Sequence, residues 1–147
     1  MRVVLFLISA LMIAQSGCLT IPAFPKVLPL ERCSQVPRER LFNKEISSPE
    51  ANKAELRIIR DVGYGGESDE VTVIIDSVKF ADFRIWEASS AFLRPGKHTI
   101  KLIHQNGTFL AGKEPTNLLE LDLPSGSPST IRIDLGRSNP PLRQTIQ

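Results

Sequence analysis

Residues 71–76 read VTVIID and residues 92–102 read FLRPGKHTIKL, and these two stretches decide the fold. In the first, residues 71–75 are apolar or β-branched on both parities, which is typical of a strand covered on both faces. In the second, Pro95 presets φ and Gly96 accepts positive φ, so the pair predicts a hairpin turn that leads into the next strand. Both stretches therefore indicate β-structure.

The sequence on either side of these stretches alternates between apolar and charged residues with a period of two, most clearly over 54–58, 119–123 and 131–135. Such alternation is typical of strands with one face on a core. Turn signals rich in glycine, proline and asparagine separate the predicted strands, at 63–66, 95–96, 106–107 and 124–126. With about six or seven short strands and no convincing amphipathic helix, the sequence predicts an all-β fold, a small antiparallel β-sandwich or a small barrel. We favour the sandwich.

The same two stretches resemble the PEGA-type module, and they are similar to a group of bacterial lipoproteins of unknown function. The shared pattern is a strand that ends in Asp-Gly, a variable hairpin, and then an aromatic residue, Leu and Pro-Gly-Lys-His before a further strand. Here Asp76 and residues 92–98 carry that pattern, and Arg60, which closes the preceding predicted strand, also suits it. Ser77 replaces the usual glycine, so we expect the turn after Asp76 to differ. The resemblance implies a β-sandwich module that is not an enzyme.

Length and composition exclude several classes of protein. The chain has 147 residues, 41% of them hydrophobic, and a formal net charge of +2. This length allows one domain, and the hydrophobic fraction is too high for a disordered chain. The small net charge gives no support for a nucleic-acid partner.

The first residues are typical of an export signal. Arg2 is followed by an apolar run of about 12 residues, roughly 18 Å long as a helix, which is too short to cross a hydrocarbon core of roughly 30 Å. A basic start, a short apolar run and then small residues describe a secretory signal peptide. Residues 1–17 are therefore predicted to be this signal.

The signal ends in Ser16-Gly17-Cys18, which resembles the lipobox of bacterial lipoproteins. In that family the chain is cut just before the cysteine, here between Gly17 and Cys18, and the thiol receives an acyl chain such as palmitate. Gln15 departs from the family's preference for leucine. The resemblance implies a membrane partner through a lipid anchor on Cys18, and Leu19 in place of aspartate favours the outer membrane, facing the periplasm.

An alternative interpretation takes residues 14–16 as an ordinary cleavage site. Cys18 is then free to pair with Cys33, closing a loop of about 15 residues worth roughly 3 kcal/mol in an oxidising compartment. The protein would be a soluble periplasmic ligand-binding or inhibitor module. The two interpretations stay open at this point.

Beyond the signal, the chain divides into three predicted parts. Residues 18–53 contain several prolines and mixed charges, which predicts a lipid-anchored tether. Residues 54–136 are predicted to be the β-sandwich domain, and residues 137–147 a flexible tail.

The residues that could take part in catalysis or metal binding are scattered along the sequence. His98 and His104 lie on one predicted strand, about 20 Å apart at roughly 3.3 Å per residue, which is too far to share a metal ion. The sequence also lacks His-x-x-x-His and Cys-x-x-Cys spacing. We therefore expect no metal, no cofactor and no catalytic site. An envelope hydrolase, the third possibility, would need carboxylates that converge in a cleft.

Two aromatic residues are candidates for an interaction surface with an envelope protein or a glycan. Tyr64 lies in a glycine-rich acidic loop, a common recognition device. Trp86 stands among the charged residues Lys79, Asp82, Arg84 and Glu87, and would form a binding face if it is exposed. Core packing is the competing interpretation for Trp86, as it is for the nearby phenylalanines, Phe80, Phe83 and Phe92. Phe80 and Trp86 share one parity if the strand that carries them is unbroken.

Overall fold

A computed structural model describes residues 29–61, 70–104, 118–134 and 142–145, and most of these residues lie in β-strands. Two short 3₁₀ helices, Leu30–Arg32 and Arg38–Arg40, lie near the start of the described chain. In chain order the strands are β1 (Ser34–Gln35), β2 (Ala54–Arg60), β3 (Val71–Ile75), β4 (Val78–Phe83), β5 (Glu87–Leu93), β6 (Gly96–His104), β7 (Leu118–Leu123), β8 (Ser129–Ile133) and β9 (Leu142–Thr145).

The strands form two sheets, one in the order β1-β5-β2-β8-β9 and the other in the order β4-β3-β6-β7. Neighbouring strands are antiparallel except in the pairs β1–β5 and β2–β8, which are parallel. Isoleucine, valine, leucine and phenylalanine side chains from both sheets pack into a single core cluster. The predicted all-β sandwich is confirmed.

The described ranges contain more strands than the number predicted, partly because two strands lie outside 54–136. β1 falls within the predicted tether and β9 within the predicted tail. Each is paired to the larger sheet, β1 with β5 and β9 with β8. An edge strand offers backbone donors and acceptors to any extended segment beside it, so this pairing does not require an alternating side-chain pattern.

Residues 34–46, which we call the edge strap, run along one side of the sandwich and contact both sheets. The strap's backbone bonds are Ser34 N to Trp86 O (2.8 Å), Val36 N to Ala88 O (3.0 Å), Phe42 N to Phe80 O (2.8 Å) and Phe92 N to Ile46 O (2.6 Å). Leu41 also forms an isolated antiparallel bridge with Ala81 in β4. Since β4 ends its sheet, the strap occupies hydrogen-bonding groups that would otherwise form an open edge.

An irregularity in β4 sends two phenylalanines into the core. The register between β3 and β4 shifts between Val73 and Ile74. Val73 pairs with Ala81 and Ile74 pairs with Lys79, so Phe80 is an extra residue on β4. Phe80 and Phe83 are both fully buried, with ring centroids 6.4 Å apart. In a regular strand, residues three apart point to opposite faces, and the bulge removes that constraint.

Two predicted turns have unexpected geometries. Asp76 and Ser77 join β3 to β4 with φ values of +47° and +69°, so the tight two-residue turn is kept although serine replaces glycine. Positive φ at both central residues is the type I′ arrangement that suits hairpins. Gly96 has the predicted positive φ, +126°, but β5 and β6 belong to different sheets, so Pro95-Gly96 is a crossing between sheets and the predicted hairpin is wrong there.

The strand connections define two ends of the sandwich. At the Trp86 end, residues 84–86 link β4 to β5, the end of β4 lies beside the start of β3, and the end of β2 lies beside the start of β5. At the opposite end, which we call the His98 end, are the Asp76-Ser77 turn, the Arg94-Pro95 crossing and the first residues of β6.

Candidate interaction surface at the Trp86 end

Trp86 lies in a turn between the two sheets and is 39% exposed. β4 ends at Phe83, so the shared parity expected for an unbroken strand does not apply. Phe80 and Phe83 enter the core, whereas Phe92 is half-buried and Trp86 is exposed. Trp86 has a φ of +61°, in the left-handed region, where a bulky side chain is uncommon. Such a conformation persists only where the surroundings determine it, and it is often found at functional sites.

Backbone hydrogen bonds from three directions fix this conformation. Trp86 N donates to Arg60 O at 3.0 Å, and Trp86 O accepts from Ser34 N at 2.8 Å. The turn is closed by Glu87 N, which donates to Arg84 O at 3.2 Å. The backbone of Trp86 is thus held by β2, by the edge strap and by its own turn, and the exposed indole projects from this fixed backbone.

The Glu87 carboxylate organises the polar groups beneath the turn. It accepts from Arg84 N at 2.7 Å and from Arg40 Nη1 at 2.8 Å, while Arg40 Nη2 donates to its second oxygen. Arg40 Nη1 also donates to the backbone oxygen of Asp82, at 3.2 Å. The hydrogen bonds that Arg40 donates to Glu87 raise the pKa of Arg40 above its ordinary value. The side chains of Glu87 and Arg40 are largely buried, and their ion pair connects the strap to the Trp86 turn. We call this ion pair the clamp.

A second set of charged residues lies at the same end of the larger sheet. Arg60 is 3% exposed and its Nη1 donates to Phe83 O at 2.6 Å, the last carbonyl of β4 before the turn. Arg132 Nη1 bonds to Asp61 Oδ1 at 2.6 Å. Arg60, which the family resemblance had singled out, is therefore a structural support for the Trp86 turn.

The four charged residues expected around Trp86 differ in their exposure and in their partners. Arg84 has a side chain that is 62% exposed, and its Nε donates to Glu70 Oε1 at 2.7 Å. Asp82 and Glu87 are buried, and Lys79 bonds to Asp82 at 3.2 Å while lying 3.6 Å above the Phe42 ring. Among the described residues of the turn itself, 84–86, the exposed side chains are those of Trp86 and Arg84, while Lys79 is exposed further back on β4.

Three other predicted site residues, Gly17, Cys18 and Tyr64, lie outside the described residues. The residues flanking the segment that contains Tyr64 are described, and both belong to the Trp86 end. Glu70 bonds to Arg84 beside the turn, and Asp61 N donates to Ile133 O at 3.0 Å. Cys33 is a partly buried free thiol, and burial raises its pKa, so it is a weak nucleophile at neutral pH.

The His98 end holds a pairing that the sequence reasoning missed. Asp76 Oδ1 accepts from Thr99 N at 2.9 Å and Oδ2 lies 2.6 Å from His98 Nδ1, while His98 Nε2 lies 2.7 Å from Arg94 O. Burial raises the pKa of Asp76, but the bonds from Thr99 and His98 together outweigh it and leave the pKa lowered. The joint presence of Asp and Lys-His in the resembled family pattern is the signal that points to this contact.

An open cleft of about 790 Å³ adjoins this pairing, between residues 45–53 and the β5–β6 crossing. Two pairs of its polar side chains are engaged with one another, as Lys53 bonds to Glu50 and Asp76 to His98, and Glu45 and Arg94 line it as well. Among the described residues, no group of three or more histidine, cysteine, aspartate or glutamate side chains is arranged to hold a metal ion. The side chain of His104 lies outside the described part of the chain.

The chain matches no protein-family model, and no curated protein is significantly similar to it. In the ranges that the structure describes, no helix is both long and apolar enough to cross a bilayer.

Proposed function

We propose that this protein is a non-catalytic lipoprotein of the bacterial cell envelope, a β-sandwich interaction or structural module anchored through an acylated Cys18. The Trp86 turn carries the proposal of an interaction role, because it presents an exposed aromatic group on a backbone fixed by three neighbouring elements. A backbone that is fixed before binding loses little conformational entropy when a partner covers the turn.

The anchor is supported by the order of features at the start of the chain. A basic residue, a short apolar run and Ser16-Gly17-Cys18 follow one another as in bacterial lipoproteins. Each buried CH₂ of an acyl chain contributes about 0.8 kcal/mol, so two or more chains on one cysteine hold a protein durably. Leu19 after the cysteine favours the outer membrane.

A non-catalytic role is supported by the way three of the described acids, Glu87, Asp82 and Asp76, are used. Glu87 accepts from Arg40 and from a backbone amide, and Asp82 accepts from Thr72 and Lys79. The oxygens of Asp76 are occupied by Thr99 N and by the His98 ring. A general acid or base must have a free atom within reach of a substrate, and these carboxylates are committed to internal partners.

Metabolic labelling with an alkyne analogue of palmitate tests the anchor. We expect label on the native protein and on Cys33→Ser, and none on Cys18→Ser, because only Cys18 lies at the lipobox position. Cys33→Ser is a matched control, since it removes the other cysteine. An unlabelled native protein whose mobility on a non-reducing gel changes with either substitution would instead favour the soluble module with a Cys18–Cys33 disulfide.

A further inference from the structure

The described part of the chain starts at the end of the sandwich that carries Trp86. Ser34 N donates to Trp86 O, so β1, the first strand of the described residues, begins against this turn. Ten residues, 19–28, separate Cys18 from Pro29, where the described structure starts. An extended chain spans at most about 3.6 Å per residue, so Cys18 lies within roughly 40 Å of Pro29 whatever its path.

Because this connection is short, the Trp86 end stays close to the membrane surface to which Cys18 is attached. The effective concentration of that surface at the Trp86 end is therefore high. A link of a few tens of ångströms produces effective concentrations in the millimolar range, so contacts too weak to hold a free domain become occupied. The Trp86 end is favoured over the His98 end, because the strap fixes the point of entry beside Trp86 by a backbone hydrogen bond of 2.8 Å.

The two exposed side chains of the turn suit a lipid headgroup region. Tryptophan is enriched where membranes meet water, because its ring is apolar while its N–H needs a polar partner. Arg84 is 62% exposed and bonds to Glu70, and a guanidinium has five N–H donors, so it retains donors that face solvent. Arginine binds phosphate groups through paired hydrogen bonds.

From these observations we infer that the Trp86 end rests on the surface of the bilayer that carries the anchor. Trp86 lies at the level of the lipid headgroups and Arg84 contacts their phosphates. This orientation rests on the proposed acylation of Cys18. It also turns the His98 end, with its cleft of about 790 Å³, away from the membrane.

The single tryptophan of the chain allows a direct test. The full-length processed protein, purified from the envelope, is placed in vesicles of phosphatidylethanolamine and phosphatidylglycerol that contain brominated phosphatidylcholine. Bromine quenches tryptophan fluorescence only on close approach. A matched control is V78W/W86F, which moves the tryptophan to an exposed position at the His98 end, where Val78 is 52% exposed.

We expect the fluorescence loss of the native protein to exceed that of V78W/W86F at least about twofold, and to be largest with bromine near the headgroup, since interfacial tryptophans lie at that depth. Arg84→Glu should reduce the loss. Equal quenching of the two proteins, or no quenching, overturns the orientation. That result would favour a protein or a glycan as the partner of the Trp86 turn. The mass of the same sample reports acylation separately: a protein without acyl mass overturns the proposed function and, with it, the orientation.

Discussion

Ser77 occupies a position that favours glycine. Its φ of +69° follows a φ of +47° at Asp76, and the left-handed region costs an ordinary residue roughly 1–2 kcal/mol. Aspartate and asparagine tolerate this region better than serine does, which leaves Ser77 as the strained member of the turn.

Ser77→Gly should therefore raise the free energy of unfolding, by about 0.5–1 kcal/mol once the greater flexibility of glycine in the unfolded chain is counted. Urea titration followed by circular dichroism measures the change. Ser77→Ala is the control, because alanine removes the hydroxyl and keeps the Cβ. A Ser77→Gly protein less stable than Ser77→Ala would show that the turn does not have the geometry described.

Asp76 makes the stability depend on pH in a predictable direction. Its pKa is lower in the folded protein than that of a free aspartate side chain. A lowered pKa stabilises the fold above the unfolded pKa, and that contribution is lost as pH falls through the folded pKa. The partners that determine the shift are Thr99 N and the ring of His98.

Asp76→Asn should thus be less stable than the native protein at about pH 6, and the difference should shrink below about pH 4 as Asp76 protonates. Asparagine keeps the left-handed turn available, so the substitution isolates the charge. Urea titrations of both proteins across this range give the two curves. A difference that grows toward acid pH would contradict the assigned partners.

Glu87 is the residue on which the clamp between the strap and the Trp86 turn depends. Replacing it leaves Arg40, with a side chain only 14% exposed, without its carboxylate. Breaking one side of a largely buried ion pair typically costs about 3 kcal/mol or more.

Glu87→Gln should consequently lower the free energy of unfolding by about 2–3 kcal/mol, since the amide can still accept one hydrogen bond. The control is Glu55→Gln, which disrupts the more exposed pair with Arg57 and should cost less than about 1 kcal/mol. Equal losses for the two variants, measured by urea unfolding, would mean that the clamp is no stronger than a surface pair.

At the scale of elements, the edge strap is the part of the fold that sequence patterns describe least well. Its prolines and mixed charges predict a tether, whereas residues 34–46 bond to both sheets. Val36 is 5% exposed and belongs to the core cluster, although it stands alone among polar neighbours in the sequence. Val36 and the two partly buried residues that pack against the core, Leu41 and Ile46, lie five residues apart, which matches neither the period of a strand nor that of a helix, so no window of sequence reveals their burial.

Amide hydrogen exchange distinguishes a docked strap from a tether. Val36 N and Phe42 N donate to carbonyls of β5 and β4, so their exchange should be slowed by about a hundredfold or more relative to an unstructured peptide. Arg38 N and Glu39 N, at the start of the second 3₁₀ helix, have no intrahelical partner and serve as internal references. Exchange of Val36 and Phe42 at the unprotected rate would contradict the docking.

At the scale of the whole molecule, the class of fold can be predicted from local sequence patterns, whereas the candidate site can be predicted only in part. The alternation over 54–58 and 131–135 identifies β2 and β8, and the run 71–75 identifies a central strand of the smaller sheet. Trp86 is predictable as a candidate because it stands among charged residues. Its left-handed backbone is not predictable, because it depends on hydrogen bonds to Arg60 O and from Ser34 N, which lie far from it in sequence.

Long-range contacts also explain why the expected ring of charges around Trp86 is smaller than the sequence indicates. Glu87 turns inward because Arg40 approaches it from 47 residues earlier in the chain. Asp82 turns inward because Thr72, on the neighbouring strand, donates to it at 2.5 Å. The sequence shows that these residues are charged, and only the tertiary structure decides which of them reach solvent.

The proposed role of the whole molecule depends on a membrane anchor at one end of the sandwich. The intact mass of the protein purified from the cell envelope tests this most directly. We predict a mature chain that begins at Cys18 and carries the additional mass of acyl chains. A mature chain that begins at Gly17 and carries no acyl mass on Cys18 would contradict the account.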